Sequence, residues 1–443
     1  MSERTTFVRA MGRWDATMLV VGCVVGVGIF RTASAIAAHL PSPSLILLVW
    51  IVGGIVSLCG ALCYAELAAM FPATGGDYVY IERIYGRLWA FLFGWTKLFI
   101  ERTGTIAILG FVFAEYLRRV VPYDEATLRW TSAAVIVTLT AVNVFGVRWG
   151  TLVQNVFTVI KIAALASLIL AGVMISASGQ SVSPVWTMPP FTGSTLQALG
   201  VAFVFVLWTF GGWTEAAYVA EEVREPTRNL PRAIIGGLLL TTCLYVLVNW
   251  SYLVCVPIEQ LPQTPLVASE VMQRLLGAQG AMWIAVMVAC SAFGALNGYI
   301  LTGARILYAV GRDFPLFRKL AAVHPTHRTP SRALWTNAAI AVLLVLTKTL
   351  DQIMTYSTVV ISIFFIMTVI GVMVLRRRAP RQSRPYRAWG YPLTPLLFSL
   401  VMCGFIIDVC IKQPTEALFG FGLLALGLPL YALSLRQRSE NTA

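Results

Sequence analysis

Apolar stretches of about twenty residues recur along almost the whole chain, each long enough for a helix to cross the ~30 Å hydrocarbon core of a bilayer. They lie near 14–40, 45–71, 88–117, 130–147, 150–177, 195–222, 232–256, 279–309, 331–350, 352–376, 390–411 and 415–435, which makes about twelve spanning helices. Only 12% of the residues are charged and the mean hydropathy is +0.77, whereas a soluble domain carries roughly 25% charged residues. A soluble fold is excluded. The expected fold is an all-α polytopic membrane protein with short connectors and no separate aqueous domain.

The formal net charge of +13 has a topological reading. Most Lys and Arg residues fall on one side of the expected spans: Arg4, Arg9 and Arg13, the loop at 224–232, the stretch from 305 to 332, and the block at 376–387. Arg118, Arg119, Arg129, Arg274, Lys348 and Lys412 fall on the other side. By the positive-inside rule this bias predicts cytoplasmic ends, 1–13 and 436–443, in a plasma or inner cell membrane. The charge is a topology signal, so no nucleic-acid partner is expected. The polar start runs straight into a full-length span, and no cleavable signal peptide is expected. The cysteines include no C-x-x-C pair, so neither a metal site nor a disulfide framework is expected.

A helix in hydrocarbon satisfies its own backbone, and irregular backbone at that depth is tolerated only against protein or a wet cavity. Glycine clusters inside spans therefore carry information. The first span reads Gly22-Cys23-Val24-Val25-Gly26-Val27-Gly28-Ile29-Phe30, and the sixth reads Trp208-Thr209-Phe210-Gly211-Gly212-Trp213-Thr214-Glu215. Glycines of this kind also serve close helix packing, but two clusters five spans apart have opposite orientations. That placement predicts two inverted repeats, 14–177 and 195–376, each opened by a discontinuous helix. The helices over 388–435 would be an appendage.

Further motifs follow in order: Tyr64-Ala65-Glu66-Leu67, then Pro72-Ala73-Thr74-Gly75-Gly76-Asp77-Tyr78, then Glu221-Glu222-Val223-Arg224-Glu225-Pro226-Thr227-Arg228-Asn229-Leu230-Pro231-Arg232, then Ser291-Ala292-Phe293-Gly294-Ala295-Leu296-Asn297 and Gly311-Arg312-Asp313. With Gly26-Val27-Gly28-Ile29-Phe30, this series resembles the amino acid–polyamine–organocation superfamily, and within it the L-type amino acid transporters and their bacterial exchanger relatives. Val27 stands where serine is usual. The resemblance covers nearly the whole chain. It implies the five-plus-five fold of the leucine transporter, sodium-independent operation and exchange of amino acids. Animal L-type relatives join a heavy subunit through a cysteine between helices 3 and 4; residues 118–130 contain none, so no such disulfide partner is expected.

An α-amino acid presents a carboxylate and an ammonium, both costly to strip of water without compensating hydrogen bonds. The start of a half-helix offers free amides and the positive end of a dipole, so Gly26, Val27 and Gly28 are expected to hold the carboxylate. By resemblance, the carbonyls of Val24, Trp208 and Gly211 suit the ammonium, beside Gly212 in the same break. Trp208 also matches the family's aromatic gate, a flat side chain able to seal a small pocket with few rotamers, and it favours small or medium substrates. Its other reading is ordinary packing.

Lys161 lies inside the fifth span, and an ionisable residue there is a functional candidate. The resemblance implies that its ammonium replaces the sodium ion of coupled relatives, as a fixed charge or a titrating proton carrier; the alternative is a structural lysine that snorkels to the interface. Glu215 is open to four readings: proton acceptor, partner of Lys161, selector of cationic substrates, or structural pair. Tyr245 resembles a family tyrosine near the site, and packing is its alternative. Lys97 and Glu101, four apart, pair along the third helix and are read with Arg102 as structural. Arg305, Arg312 and Asp313, with Glu221, Glu222 and the loop at 224–232, resemble an inner network that closes the cytoplasmic route.

No catalytic constellation is present: His39, His324 and His327 fall at span ends or in loops, and no nucleotide or metalloprotease motif occurs. No cofactor is expected. The functional expectation is a sodium-independent exchanger of neutral amino acids. The alternatives are a proton-coupled symporter of broad or cationic specificity and, from another class, a channel.

Overall fold

A computed structural model describes residues 7–182, 184–264, 266–347, 350–412 and 414–440. The outermost parts of both expected cytoplasmic ends, and Lys348, lie outside the described residues. Every regular element among the described residues is helical, apart from one isolated β-bridge between Met11 and Val223.

The first half of the chain forms α1 (Arg13–Val24), α2 (Gly28–His39), α3 (Pro43–Met70), α4 (Asp77–Tyr85), α5 (Arg87–Thr96), a π-helical segment (Lys97–Glu101), α6 (Arg102–Val120), α7 (Glu125–Val144) and α8 (Val147–Ala177). The second half forms α9 (Gly193–Thr209), α10 (Glu215–Tyr218), α11 (Pro226–Cys255), α12 (Val267–Leu276), α13 (Ala278–Asp313), α14 (Ser331–Thr347) and α15 (Leu350–Arg378). The chain ends in α16 (Leu393–Lys412), α17 (Pro414–Ala425) and α18 (Gly427–Glu440). Among the described residues eight helices are long and apolar enough to cross a membrane, or up to nine when the bent pair α1 and α2 counts as one span; α9 and α14 are shorter apolar helices. The short helices α4 and α12 fall between the expected spans and were not anticipated by hydropathy.

Helix starts follow local chemistry. Ser42 accepts the Leu45 amide ahead of α3, whose first residue is Pro43, and Asp124 accepts the Thr127 amide at 2.9 Å ahead of α7. Each satisfies a donor that has no partner within its own helix. Of these eight candidate spans α13 is the most enclosed by protein, with 78% of its apolar window buried; it packs on α1, α6, α8 and α14. By contrast α16 is only 22% buried. Leu400, Ile411 and Leu418 stay bare, as side chains facing acyl chains do.

Two buried ion pairs fasten connecting segments to this bundle. Glu66 of α3 receives Arg376 at 2.5 and 3.0 Å, the Ala388 amide at 2.7 Å and Arg384 at 3.5 Å, which ties the link between α15 and α16 beneath α3. Arg305 of α13 forks onto Glu222 at 2.8 and 3.2 Å, and both are wholly buried. Removing one partner leaves an uncompensated charge, which costs about 3–5 kcal/mol, while replacing both with apolar residues is often neutral. Arg305→Met is therefore expected to lower the melting temperature of the detergent-purified protein markedly. The double substitution Glu222→Leu with Arg305→Met should recover most of that loss; a single variant as stable as wild type would contradict this account.

Candidate functional site

Two interruptions meet inside the bundle. The helix α1 stops at Val24 and α2 restarts at Gly28, the two bent by 41°. The helix α9 stops at Thr209, the chain turns through 210–214, and α10 begins at Glu215. Glycine permits their contact. Gly212 has a φ of +106°, and a Cβ there would lie 2.8 Å from the Cys23 carbonyl oxygen; a Cβ on Gly28 would lie 2.9 Å from Thr209 Cγ2 and Oγ1. A side chain at Gly212 meets both a forbidden backbone conformation and the opposite break.

The freed carbonyls are claimed by side chains from neighbouring helices. Lys161 of α8 donates to the Gly22 carbonyl at 2.6 Å and the Val25 carbonyl at 2.9 Å. Ser291 of α13 approaches the Val25 and Gly26 carbonyls at 3.3 Å each. Tyr245 of α11 donates to the Val24 carbonyl at 2.7 Å and lies 3.3 Å from the Thr209 carbonyl, so one hydroxyl spans both breaks. Other expected contacts are already spent within the breaks: the Gly26 amide donates to the Val24 carbonyl at 2.7 Å, and the Gly211 amide to the Trp208 carbonyl at 3.1 Å. The amides of Val27, Gly28 and Ile29 have no partner among the described residues, as expected for the first turn of a helix. Ile29 joins the set because three amides, rather than the glycines as such, open α2.

These atoms edge a cavity of about 260 Å³. Val24, Gly26, Val27, Gly28, Trp208, Gly211, Gly212 and Glu215 all line it; Lys161 and Tyr245 stand behind the first break and do not. Trp208 is 45% exposed and borders the cavity without covering it. Opposite the breaks, Lys97, Glu101 and Thr105 form one stripe, and Phe398, Met402 and Phe405 of α16 add an apolar wall.

Glu215 is not paired with Lys161. Arg102 forks onto it at 2.9 and 3.1 Å, Thr302 donates to the same carboxylate, and Tyr299 and Tyr218 cover the guanidinium. Opposite charges from two mid-span positions were the available signal, yet nothing in the spacing shows that α6 and α10 meet. Lys97 donates to Glu101 at 2.9 Å, as the i,i+4 spacing predicts.

Contacts close the bundle on the side where α1 begins. Met11 donates its amide to the Glu222 carbonyl and accepts from the Arg224 amide, both at 2.9 Å. The Thr74 amide donates to Glu221 at 3.1 Å, and Asn155 to Asp15 at 2.6 Å. Among the described residues Arg312 pairs only with the adjacent Asp313, whose carboxylate also accepts from Tyr78 at 2.8 Å. On the other side Arg31 lines the cavity and sits 3.8 Å from Glu115, both substantially exposed.

Comparison with known proteins gives the same picture over nearly the full length. The b(0,+)-type amino acid transporter 1 of Mus musculus is 31% identical over 438 residues, covering 97% of this chain and 89% of that protein. The large neutral amino acids transporter small subunit 2 of Mus musculus is 32% identical over 434 residues, covering 96% and 81%. The serine/threonine exchanger SteT of Bacillus subtilis (strain 168) is 29% identical over 440 residues, covering 97% and 98%. These relatives are transporters rather than enzymes. The amino acid permease family model matches residues 11–418, and with two facing helix breaks around a closed-bottomed cavity, the chain belongs to that family.

Proposed function

We propose that the protein is a sodium-independent exchanger of small and medium neutral L-amino acids, working by alternating access from twelve spans arranged as two inverted repeats and two added helices, with both ends in the cytoplasm of a cell-membrane protein. The carrying observation is the pair of facing breaks. The open amides of Val27, Gly28 and Ile29 offer a seat for a carboxylate at the positive end of α2, and the Gly211 carbonyl suits an ammonium. Both ends of an amino acid are then met by backbone.

Neutrality follows from the charges around the cavity. Arg102 neutralises Glu215 and Lys97 pairs with Glu101, so no unpaired anion awaits a cationic side chain; this supports exchange of neutral solutes over the cationic reading. The Lys161 amine meets the carbonyl end of α1, where a cation is electrostatically favoured. The relatives named as transporters and exchangers of amino acids support the substrate class. With no cysteine between 118 and 130, the chain works without a disulfide-linked heavy subunit.

Replacing sodium with choline is expected to leave counterflow of labelled serine in proteoliposomes unchanged; strict sodium dependence would refute the role of Lys161. Gly28→Leu should insert normally but lose counterflow, because its side chain strikes Thr209 and closes the approach to the α2 amides. Normal counterflow in that variant would reduce the first break to a packing feature. Trp208→Ala should weaken equilibrium binding of serine only a fewfold while slowing exchange by more, since loss of a closing lid slows the committed step rather than the grip. Identical kinetics in the two proteins would leave Trp208 a border residue without a gating role.

A further inference from the structure

The cavity contains a charged pair that the backbone seat does not use. Lys97 and Glu101 stand at the two ends of the π-helical segment (Lys97–Glu101), where the Arg102 amide bonds the Lys97 carbonyl five residues back. Such bulges are rare and concentrate at functional sites. Both residues line the cavity, the Lys97 side chain 2% exposed and that of Glu101 13%. The surrounding wall is apolar at Ile108, Leu109, Phe398 and Met402.

Their hydrogen-bonding capacity is only partly used. Lys97 donates to Glu101 Oε2 at 2.9 Å, and its ammonium is otherwise surrounded by the ring faces of Phe93, Tyr218 and Phe365 at 5.6, 5.4 and 6.0 Å. Ring faces steady the charge without taking a proton donor. An ammonium has three donors and a carboxylate two oxygens, so the pair offers a spare donor and a spare acceptor side by side. A formally charged ligand group would unbalance a buried neutral pair. An apolar group would strand both functions, and unmade buried hydrogen bonds are the costly kind. A carboxamide satisfies both: its carbonyl accepts from Lys97 and its amide donates to Glu101.

We propose that the Lys97–Glu101 pair is the side-chain subsite of the cavity, selecting amino acids that end in a carboxamide, with hydroxyl side chains next, over apolar side chains of equal length. The inference rests on the reading of the cavity as an amino acid site. The test is counterflow into proteoliposomes of the full chain, with labelled serine and labelled glutamine in separate runs and unlabelled glutamine, methionine and glutamate as competitors. Glutamine should compete at least about tenfold more effectively than methionine, a difference worth about 1.4 kcal/mol, and glutamate should compete least. In Lys97→Met with Glu101→Leu, which removes both charges together, the ratio of glutamine to methionine should fall to about one or invert. The wild-type ranking decides the matter if that variant does not fold. Counterflow with methionine equal to glutamine in wild type overturns the subsite alone, and so does an unchanged ratio in the folded double variant. Absence of counterflow for every amino acid overturns the amino acid reading along with it.

Discussion

The protein depends on satisfying backbone carbonyls that two broken helices leave open inside a low-dielectric bundle. Water is scarce there, so the open groups need dedicated partners. Lys161, Ser291 and Tyr245 arrive from α8, α13 and α11, the helices that pack around α1. The site is therefore not a loop laid over a scaffold. It is a gap in the scaffold, and the helices that surround it are placed where the gap needs hydrogen bonds. What they do not claim, three amides and one carbonyl, is the part that the proposed function assigns to a solute.

The same economy governs charge. Besides the half-exposed Arg31, five ionisable side chains stand at the cavity or behind it, and they could not all be buried singly, since an isolated buried charge is far costlier than a paired one. Arg102 and Glu215 neutralise each other across α6 and α10, and Lys97 and Glu101 do so along one segment. Lys161 is held by carbonyls instead of a carboxylate. Its amine sits at the carbonyl end of α1.

The sequence makes the apolar helical character and both breaks legible because hydropathy and glycine clusters are local signals, while of the twelve expected spans eight, or nine with the bent pair, are long and apolar enough among the described residues. It also places Gly28 and Gly211 beside the site. It does not reveal that Gly28 meets Thr209 or that Gly212 meets the Cys23 carbonyl, since those contacts join segments nearly two hundred residues apart. Glu215 illustrates the limit: its depth in the membrane marks it as important, but four partners were compatible with the spacing, and only packing selects Arg102. Ser291 was visible as part of a motif without a role, because a serine hydroxyl among alanines carries no directional signal. The helices α4 and α12 escape hydropathy because they are short and half-polar, and nothing in their composition requires them to cross a membrane.

The bridge between Met11 and the segment after α10 has a kinetic consequence. It joins the lead-in to one broken helix to the lead-out of the other, and the buried Arg305–Glu222 pair sits directly beneath it. In the proposed alternating-access cycle, opening that side breaks these bonds nearly together, so the barrier acts as a latch with a threshold and not as a graded hinge. In that cycle an unloaded carrier has no new contacts to offset the loss, while a loaded one has them. In the proposed cycle, tight coupling of inward to outward movement then follows from the latch itself, without an ion gradient.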